Sequence, residues 1–450
     1  MLRRRRGRDI ASLVTEIRET GDTATVLDST SPGTDLYGRS LALRPVLETS
    51  YHRLPPELSR LLRLLCLAPA AEVGTGAVAA LADLDERTVL PMLENLAARY
   101  LVTAVRGGER WHTHDLVRAY GASLAVGDPE EDLARAGLLK FHLERAFAAY
   151  CWLTRLPGHE TPEFFADLRE ALEWLDIERT GLVATVGWVP DGEFMQAAVD
   201  LAGWLAPYLG RRRYFDDALT VAYAALDAAE RLEDPVSLTL SWDKLGVALA
   251  QMDRLEDAIE AHVQARNLSR ATEDRQGEAM ASNNLSITLA KADRLDEAID
   301  AAVQARELYR KTGNRQGEGM AWNNLGAALR QAGRLDEAID AHTRARDLYQ
   351  EIGARHREAF AWNNLGSALY RAGRFEKALH AFGESLKARR GFEDWYGEGG
   401  IHMHLARTHT RLDRPAEARA SYLRAVEAFT LARSPDDVAQ AHAEAARLPL

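Results

Sequence analysis

Trp322-Asn323-Asn324-Leu325-Gly326 is the stretch that decides the fold, because its central three residues recur at a fixed interval. Asn-Asn-Leu occurs at residues 283–285, 323–325 and 363–365, forty residues apart each time. A period in this range is typical of proteins built from stacked structural repeats. Such solenoids present long concave surfaces, so we expect a protein that binds other molecules rather than an enzyme.

The forty-residue frame extends well beyond these three blocks. Each unit has a leucine, an alanine thirteen residues later, and a second small residue seven residues after that. The recurring residues are Leu205, Leu245, Leu285, Leu325, Leu365 and Leu405; Ala218, Ala258, Ala298, Ala338, Ala378 and Ala418; and Ala225, Ala265, Ala305, Ala345, Ser385 and Ala425. We therefore predict six repeats over residues 196–433, with the least regular units at the two ends, and a capping helix over residues 434–450.

Within one unit, two stretches with helical periodicity flank a turn. In the fourth unit, residues 318–332 have apolar residues at spacings of three and four, and residues 336–349 begin with acids that suit a helix N-terminus. Gly333 lies between them and accepts the left-handed conformation that ends helices. The equivalent residues Asp253, Asp293 and Asp413 also visit that conformation more readily than most.

Trp322-x-x-Leu325-Gly326, followed by Ala338 and Ala345, resembles the tetratricopeptide repeat in a forty-residue form. The resemblance implies an all-α fold in which helix pairs form a right-handed superhelix. It also implies that the first helix of each pair lines the concave face. The aromatic residue that the family commonly has on the second helix is kept as Phe382 and Tyr422 but replaced by His262, Ala302 and His342.

The second asparagine of each block lies where similar arrays carry an asparagine ladder, here Asn284, Asn324 and Asn364. A side-chain amide has an acceptor and two donors, so it can pair with a peptide bond of any sequence. Basic residues follow farther along the same helices at Lys291, Arg371 and Arg411. We predict that these residues bind an extended acidic segment of a protein or peptide partner, or an acidic element of the protein's own fold. Alternatively, the asparagines bond neighbouring repeats or water, and the basic residues form a solvated face.

Residues 41–126 do not follow the forty-residue frame. We predict helices over 56–67, 75–82 and 86–100, and two strands over 101–105 and 110–113 joined by a turn at 106–109. This order predicts a small winged-helix domain, which a helical linker over residues 127–195 joins to the repeats. The segment 1–40 is poorly defined.

The third helix of this domain would be the DNA reader in a transcription factor. Here it carries a mixture that leans acidic: Asp85, Glu86, Arg87, Glu94 and Arg99. DNA readers need cations for the phosphates, and the whole chain has a formal charge of −11. We therefore do not expect nucleic-acid binding, although a DNA-binding regulator remains the rival class.

Three further stretches carry a second resemblance: Ser50-Tyr51-His52-Arg53-Leu54-Pro55, Thr113-His114-Asp115-Leu116-Val117-Arg118 and Trp174-Leu175-Asp176-Ile177-Glu178-Arg179. They look like the winged-helix part of signal-transduction ATPases with an NB-ARC core, of the actinobacterial AfsR type. The resemblance covers residues from about 41 to the end, and 1–40 would be a remnant of the preceding ATPase subdomain.

In that family the histidine matching His114 touches the β-phosphate of bound ADP, which implies a nucleotide switch. Thr113 lies in the position of the family's methionine, and Asp115 follows the histidine. No G-x-x-x-x-G-K-[ST] loop occurs in the chain, however, and that loop is what cradles phosphates. We therefore expect no cofactor, and a simpler interpretation has His114 and Asp115 at the start of a helix.

The remaining features favour a cytoplasmic, non-catalytic protein. Cys66 and Cys151 imply no disulfide framework, and no apolar run reaches transmembrane length. The arginine-rich residues 1–8 are not followed by the apolar segment of a secretory signal. His112 and His114 share a strand face, but two ligands without nearby thiolates make no closed metal site. His402, His404 and His409 crowd one helix region, where residues i and i+2 point apart, and no nucleophile motif occurs.

Together these observations predict the protein-interaction part of a bacterial signalling or transcriptional regulator. They leave open the partner, the pathway, the oligomeric state and whether Met1 is the natural start.

Overall fold

The computed structural model describes residues 43–105, 107, 109–125, 129–154, 163–188, 194–389 and 394–448. The predictions for residues 1–40 lie outside this part, as do two residues of the turn at 106–109. The chain divides into two compact units, Met1–Leu232 and Glu233–Leu450. Twenty α-helices and three short strands are found among the described residues, so the predicted all-α class is confirmed.

The first unit begins with a small mixed segment and continues as helices. Its elements are α1 (Leu43–His52), α2 (Pro56–Leu65), β1 (Glu72–Gly74), α3 (Thr75–Ala82), α4 (Glu86–Ala98), β2 (Thr103–Val105), β3 (Arg110–His112), α5 (Asp115–Ala125), α6 (Pro129–Thr154), α7 (Leu168–Trp188), α8 (Met195–Arg212) and α9 (Phe215–Leu232). The last two are the helix pair that the sequence assigns to the first repeat.

The three strands form an antiparallel sheet in the order β1-β3-β2, with Trp111 opposite Val73 on one side and Ala104 on the other. Trp111 is only 1% exposed, and its indole nitrogen donates to Thr75 Oγ1 at 3.0 Å. Strands β2 and β3 lie within the two predicted strands, whereas β1 was not predicted. The winged-helix assignment of this segment stays a prediction.

The second unit is an array of helix pairs. Its elements are α10 (Pro235–Gln251), α11 (Leu255–Ala271), α12 (Arg275–Lys291), α13 (Leu295–Lys311), α14 (Arg315–Gln331), α15 (Leu335–Glu351), α16 (Arg355–Arg371), α17 (Phe375–Arg389), α18 (Trp395–Arg411), α19 (Pro415–Leu431) and α20 (Pro435–Ala446). The even-numbered helices α10 to α18 are the first helices of their repeats, and the odd-numbered helices α11 to α19 are the second.

The turn inside each repeat has the backbone that its sequence predicts. Gly333 has a φ of +76°, and the aspartates at the equivalent positions have φ between +55° and +61°. Those aspartates are Asp253, Asp293 and Asp413. A left-handed residue satisfies the carbonyl groups at the end of the first helix and reverses the chain, so the second helix can pack back on the first.

Small residues at the recurrent positions let the paired helices approach closely. Ala258, Ala298, Ala338, Ala378 and Ala418 are all 0% exposed. Each second helix from α11 to α17 contacts the first helices of its own and of the following repeat. Successive first helices from α10 to α18 also contact each other directly. Successive first helices therefore lie closer together than successive second helices, which places the first helices on the inner wall of the array.

The glycine of the Trp-x-x-Leu-Gly pattern has a packing reason. A Cβ atom built on Gly326 would lie 2.7 Å from Cε1 of His342, and one built on Gly366 would lie 2.6 Å from Cε1 of Phe382. The repeat that carries Ala302 in place of a ring has Ser286 in place of the glycine. In these three repeats, glycine therefore occurs where a ring on the second helix needs the space, whereas the last repeat combines Ala406 with Tyr422.

Candidate functional site

The predicted ladder residues form one hydrogen bond across each of three repeat boundaries. Asn284 Nδ2 donates to Asp243 Oδ1 at 2.8 Å, and Asn324 Nδ2 donates to Asn283 Oδ1 at 2.9 Å. Asn364 Nδ2 donates to Asn323 Oδ1 at 3.0 Å. We call these three bonds the rungs. Each rung joins the first helices of two successive repeats, so the ladder residues have a structural role whatever else they do.

The rungs leave part of each donor amide unused. Asn284, Asn324 and Asn364 are half-buried, and each uses a single Nδ2 bond in its rung. Within the described residues, their Oδ1 atoms have no protein hydrogen-bond partner. One donor and one acceptor per amide thus remain for a ligand. By contrast, Asn283 is 4% exposed and serves as the acceptor of its rung.

The ladder is bounded at both ends. At one end Asp243 is 0% exposed, and His262 Nδ1 lies 3.4 Å from its Oδ1. Burial raises the pKa of the Asp243 carboxyl, but the interaction with the nearby His262 ring and the charge of Lys244 outweigh it and hold the pKa below its ordinary value. At the other end, Asn363 Oδ1 is buried with no partner in the described part of the chain. The next repeat has His404 instead of an asparagine, and its ring stacks on Phe382.

His342 is a ladder component that the sequence analysis did not identify. Its Nδ1 lies 3.1 Å from Asn323 Oδ1, which also accepts the rung from Asn364. His262 occupies the same place beside Asp243 two repeats earlier. Burial, helped by the charge of Arg330, lowers the pKa of His342 to about 3, so the ring is neutral. The sequence signal for this role was the recurrence of histidine at 262 and 342. By itself, that recurrence indicates only that the family's aromatic residue is replaced.

The predicted basic residues lie two helical turns beyond the ladder positions, on the same face of their helices. Lys291, Arg371 and Arg411 are all exposed. Arg371 Nη1 donates to the carbonyl oxygen of Arg330 at 3.4 Å, and the guanidinium of Arg411 lies 5.1 Å from the ring centroid of Phe375. The three cations therefore stay available to a ligand at the inner wall, while two of them are already oriented.

In the first unit, His114 is exposed and its Nδ1 accepts a hydrogen bond from the backbone N–H of Leu116 at 3.3 Å. Asp115 is the first residue of α5. A cavity of about 500 Å³ beside this helix start is lined by Asp115, Arg118, Arg135 and Trp188 among others, and His114 is not among them. The nucleotide role of His114 stays a prediction.

Metal-binding clusters and membrane-spanning helices are both absent from the described ranges. No group of three or more His, Cys, Asp or Glu side chains there could hold a metal ion. Within the same ranges, every helix is too short or too polar to cross a bilayer.

The stacked helix pairs place this array in the class of α-helical repeat solenoids. One tetratricopeptide repeat family model matches residues 236–311 and 318–391. A second tetratricopeptide repeat model matches residues 363–438. The array in this chain is therefore built of tetratricopeptide repeats, as the sequence predicted.

Comparisons with individual proteins give a curated relative and several solved structures. The regulatory protein AfsR of Streptomyces griseus is 35% identical over 162 residues, which are 33% of this chain and 16% of that protein. A Rap protein complexed with competence and sporulation factor has a TM-score of 0.48 at 13% identity, covering 89% of this chain and 96% of its own. A STAND protein with a tetratricopeptide repeat sensor, from Pyrococcus horikoshii, has a TM-score of 0.34 at 17% identity, covering 96% and 69%.

Proposed function

We propose that this chain is a protein-interaction module of a bacterial signalling or transcriptional regulator, and that its inner wall binds an extended acidic segment of a partner protein. One observation carries the proposal: the amides of Asn284, Asn324 and Asn364 are fixed in orientation by the rungs and still have unused donors and acceptors. Fixed polar groups at a regular spacing are suited to the equally regular groups of an extended backbone.

Preorganisation is the physical advantage of this arrangement. A free asparagine side chain loses rotamer freedom when it binds a ligand, which costs roughly 0.5–1.5 kcal/mol for each ordered side chain at an interface. The rungs have already ordered these amides during folding. A ligand that pairs with them avoids most of that cost, and recognition of the peptide bond makes the contact independent of the ligand's sequence.

Specificity for acidic segments would come from Lys291, Arg371 and Arg411. These are exposed cations in a chain of net charge −11, so they give a local field of opposite sign to the whole. Exposed charges steer encounter and select partners more than they add affinity, and salt screens them. We expect binding to weaken as ionic strength rises.

The regulatory context rests on the AfsR relative, of which this chain covers only a small part. The segment α2 to α5 would be the winged helix of such a regulator. The exposed residues of its helix α4 include Glu86, Arg87 and Glu94, a mixture that does not favour phosphate binding. This supports a signalling role for the segment rather than a DNA-reading one.

The test must separate loss of a ligand contact from loss of a rung. We would compare the triple variant Asn284→Ala, Asn324→Ala, Asn364→Ala with an acceptor control, Asn283→Ala with Asn323→Ala. The control removes two rungs but leaves every ladder amide in place. Partner capture from a bacterial lysate, quantified with the purified partner, should be lost in the triple variant. The control should lose only the preorganisation of two amides, roughly 1–3 kcal/mol of binding free energy. Equal binding by the triple variant and the unmodified chain would refute the proposal.

A further inference from the structure

Two furrows lie on the outer wall of the array, which the second helices form, and their linings are similar. The first furrow lies between the second helices α13 and α15, above the first helix α14, and encloses about 330 Å³. The second furrow lies between α15 and α17, above α16, and encloses about 470 Å³. Most of their lining residues correspond at a spacing of forty residues. Neither furrow includes a ladder residue.

The floor of each furrow is apolar and ends in a tryptophan. Trp322, Leu325 and Leu329 form the floor of the first. Trp362, Leu365 and Leu369 form the floor of the second. Trp322 is half-buried rather than buried, so part of its indole faces the furrow. Such floors can accept a large apolar side chain from a partner.

An arginine lies over each indole. The Cζ atoms of Arg306 and Arg346 are each 4.5 Å from the ring centroids of Trp322 and Trp362, respectively. Each arginine also pairs with the acidic residue that follows it, Glu307 or Asp347. These guanidinium groups therefore already have an indole and a carboxylate as partners. Any positive charge that a ligand contacts must come from other side chains.

Each furrow has such a cation on its rim. Arg344 lines the first furrow and Lys377 lines the second; both are exposed, and neither has an ion-pair partner among the described residues. The first furrow is lined by three arginines against Glu337 and Asp340. The second has Arg346, Arg374 and Lys377 against Glu376 alone. The other arginines are paired with Glu307, Glu337, Asp347 and Asp336, so what distinguishes each furrow is one cation without an ion pair in the described ranges, Arg344 or Lys377, rather than a net charge.

Among the described residues, a tryptophan and an unpaired rim cation occur together in these two furrows. Trp242 occupies the equivalent position two repeats before the first furrow, but with Gln264 for Arg344 and Asp257 for Lys377. One repeat before the first furrow, the equivalent positions hold Ser282 for the tryptophan and Gln304 for Arg344. One repeat after the second furrow, they hold His402 for the tryptophan and Glu417 for Lys377. A feature required for stacking alone would be expected in every repeat. Its restriction to two neighbouring furrows favours a binding role.

We propose that these two furrows form a second interaction surface, which binds an acidic partner segment carrying two large apolar side chains, one for each furrow. The apolar side chains pack on the indoles and leucines of the floors. Carboxylates of the segment pair with Arg344 and Lys377. This surface lies on the second helices, so it is separate from the ladder and goes beyond the function proposed above.

The test uses short random peptides displayed on phage, selected on the full chain and then measured individually by fluorescence anisotropy. The furrow variant combines Arg344→Gln and Lys377→Glu, which copy Gln304 and Glu337 of sister repeats and so preserve the fold. The matched control is Arg310→Gln, which copies Gln350 and removes an exposed cation that lines neither furrow. A second variant, Trp322→Ser, copies Ser282 and is used with its melting temperature as a check of folding.

We expect enrichment of acidic peptides with aromatic or leucine residues. Their Kd should rise by at least roughly tenfold in the furrow variant and in folded Trp322→Ser, but change by less than about twofold in Arg310→Gln. Enrichment of non-acidic peptides only, or no enrichment, would overturn the proposal. It would also be overturned if every acidic peptide kept its affinity in the furrow variant and lost it in Asn324→Ala, an outcome that would leave the ladder proposal standing.

Discussion

The guanidinium of Arg110 lies 3.1 Å from the carboxylate of Glu178, and both residues are buried, at 1% and 5% exposure. Arg110 also donates to the carbonyl oxygens of Ile177 at 2.6 Å and Glu72 at 2.8 Å. The pair therefore fixes strand β3 to helix α7. Burial raises the pKa of the Glu178 carboxyl, and the charge of Arg110 acts in the opposite direction.

The charged residues of the stretch 174–179 all make ion pairs or hydrogen bonds with neighbouring elements. Asp176 accepts from the hydroxyl of Tyr208 at 2.8 Å and pairs with Arg212 at 2.5 Å. Arg179 pairs with Asp217 and lies over the ring of Tyr214. Each charged residue of this stretch thus joins α7 to a different neighbour, which gives the Trp-Leu-Asp-x-Glu-Arg pattern a structural meaning.

Removal of the Glu178 carboxylate should destabilise the first unit. Glu178→Ala leaves the buried guanidinium of Arg110 with only the exposed carboxylate of Glu72, 3.8 Å away, and breaking a buried pair costs about 3–5 kcal/mol. Urea unfolding of the full chain measures the loss. The control is Glu173→Ala, because Glu173 pairs with Arg169 at 3.4 Å on the exposed surface, where such pairs contribute about 0–1 kcal/mol. Equal effects of the two variants would contradict this account.

The rungs should differ in their contribution to stability. Asn324→Ala leaves the buried Oδ1 of Asn283 without a partner, whereas after Asn364→Ala the Oδ1 of Asn323 still has His342. A buried unsatisfied acceptor costs about 1–3 kcal/mol, and a simple lost hydrogen bond about 0.5–1.5 kcal/mol. We expect Asn324→Ala to lower the free energy of unfolding more than Asn364→Ala. The opposite order in urea unfolding would show that the rung geometry is not what determines these energies.

The repeats should lose stability in acid, in part through His342. The pKa of His342 is about 3 in the folded chain and about 6.5 in an unfolded one. As pH falls through about 6.5 the unfolded chain takes up a proton that the folded chain excludes, so the folded state loses up to roughly 1.4 kcal/mol per pH unit.

The variant His342→Phe copies Phe382 and removes this titration. Between about pH 7 and pH 4, its free energy of unfolding should fall less than that of the unmodified chain, by a difference on the order of 3 kcal/mol. Gly383→Ala is the control, since it changes a helix of the same array without adding or removing a titratable group, and it should leave the pH dependence unchanged. Parallel pH profiles for His342→Phe and the unmodified chain would disprove the assignment.

The two kinds of helix glycine should respond oppositely to alanine. Gly326→Ala would place a methyl group 2.7 Å from His342, and overpacking of this kind costs about 1–3 kcal/mol. Gly383 lies inside α17, where an added methyl group would meet no atom within 4 Å, so Gly383→Ala should stabilise by about 0.5–1 kcal/mol. Thermal unfolding measures both. The double variant Gly326→Ser with His342→Ala copies Ser286 and Ala302 and should recover much of the loss.

Sequence reasoning predicted the repeat architecture because each signal was local. The left-handed residues at Gly333 and Asp293 and the buried Ala338 follow from rules that act within one helix pair. Strand β1 was missed because three residues, Glu72–Gly74, are too few to show an alternating pattern. Its place in the sheet comes only from pairing with β3.

The site was predicted less completely than the fold. Spacing identified Asn284, Asn324 and Asn364 but not their partners, because the residue that faces Asn324 across the boundary depends on how two repeats are stacked. That stacking brings residues 41 apart into contact rather than residues 40 apart. The roles of these amides and of Lys291, Arg371 and Arg411 in binding a ligand stay predictions.

The unpaired acceptor of Asn363 has a mechanical consequence. Three successive boundaries, from α10 to α16, are crossed by a rung, and in the described part of the chain the boundary between α16 and α18 has none. Bending of the array should therefore concentrate at that boundary, which acts as a hinge. The four repeats joined by rungs would then move as one stiff rod, so the spacing of their amides would stay constant while the last repeat swings.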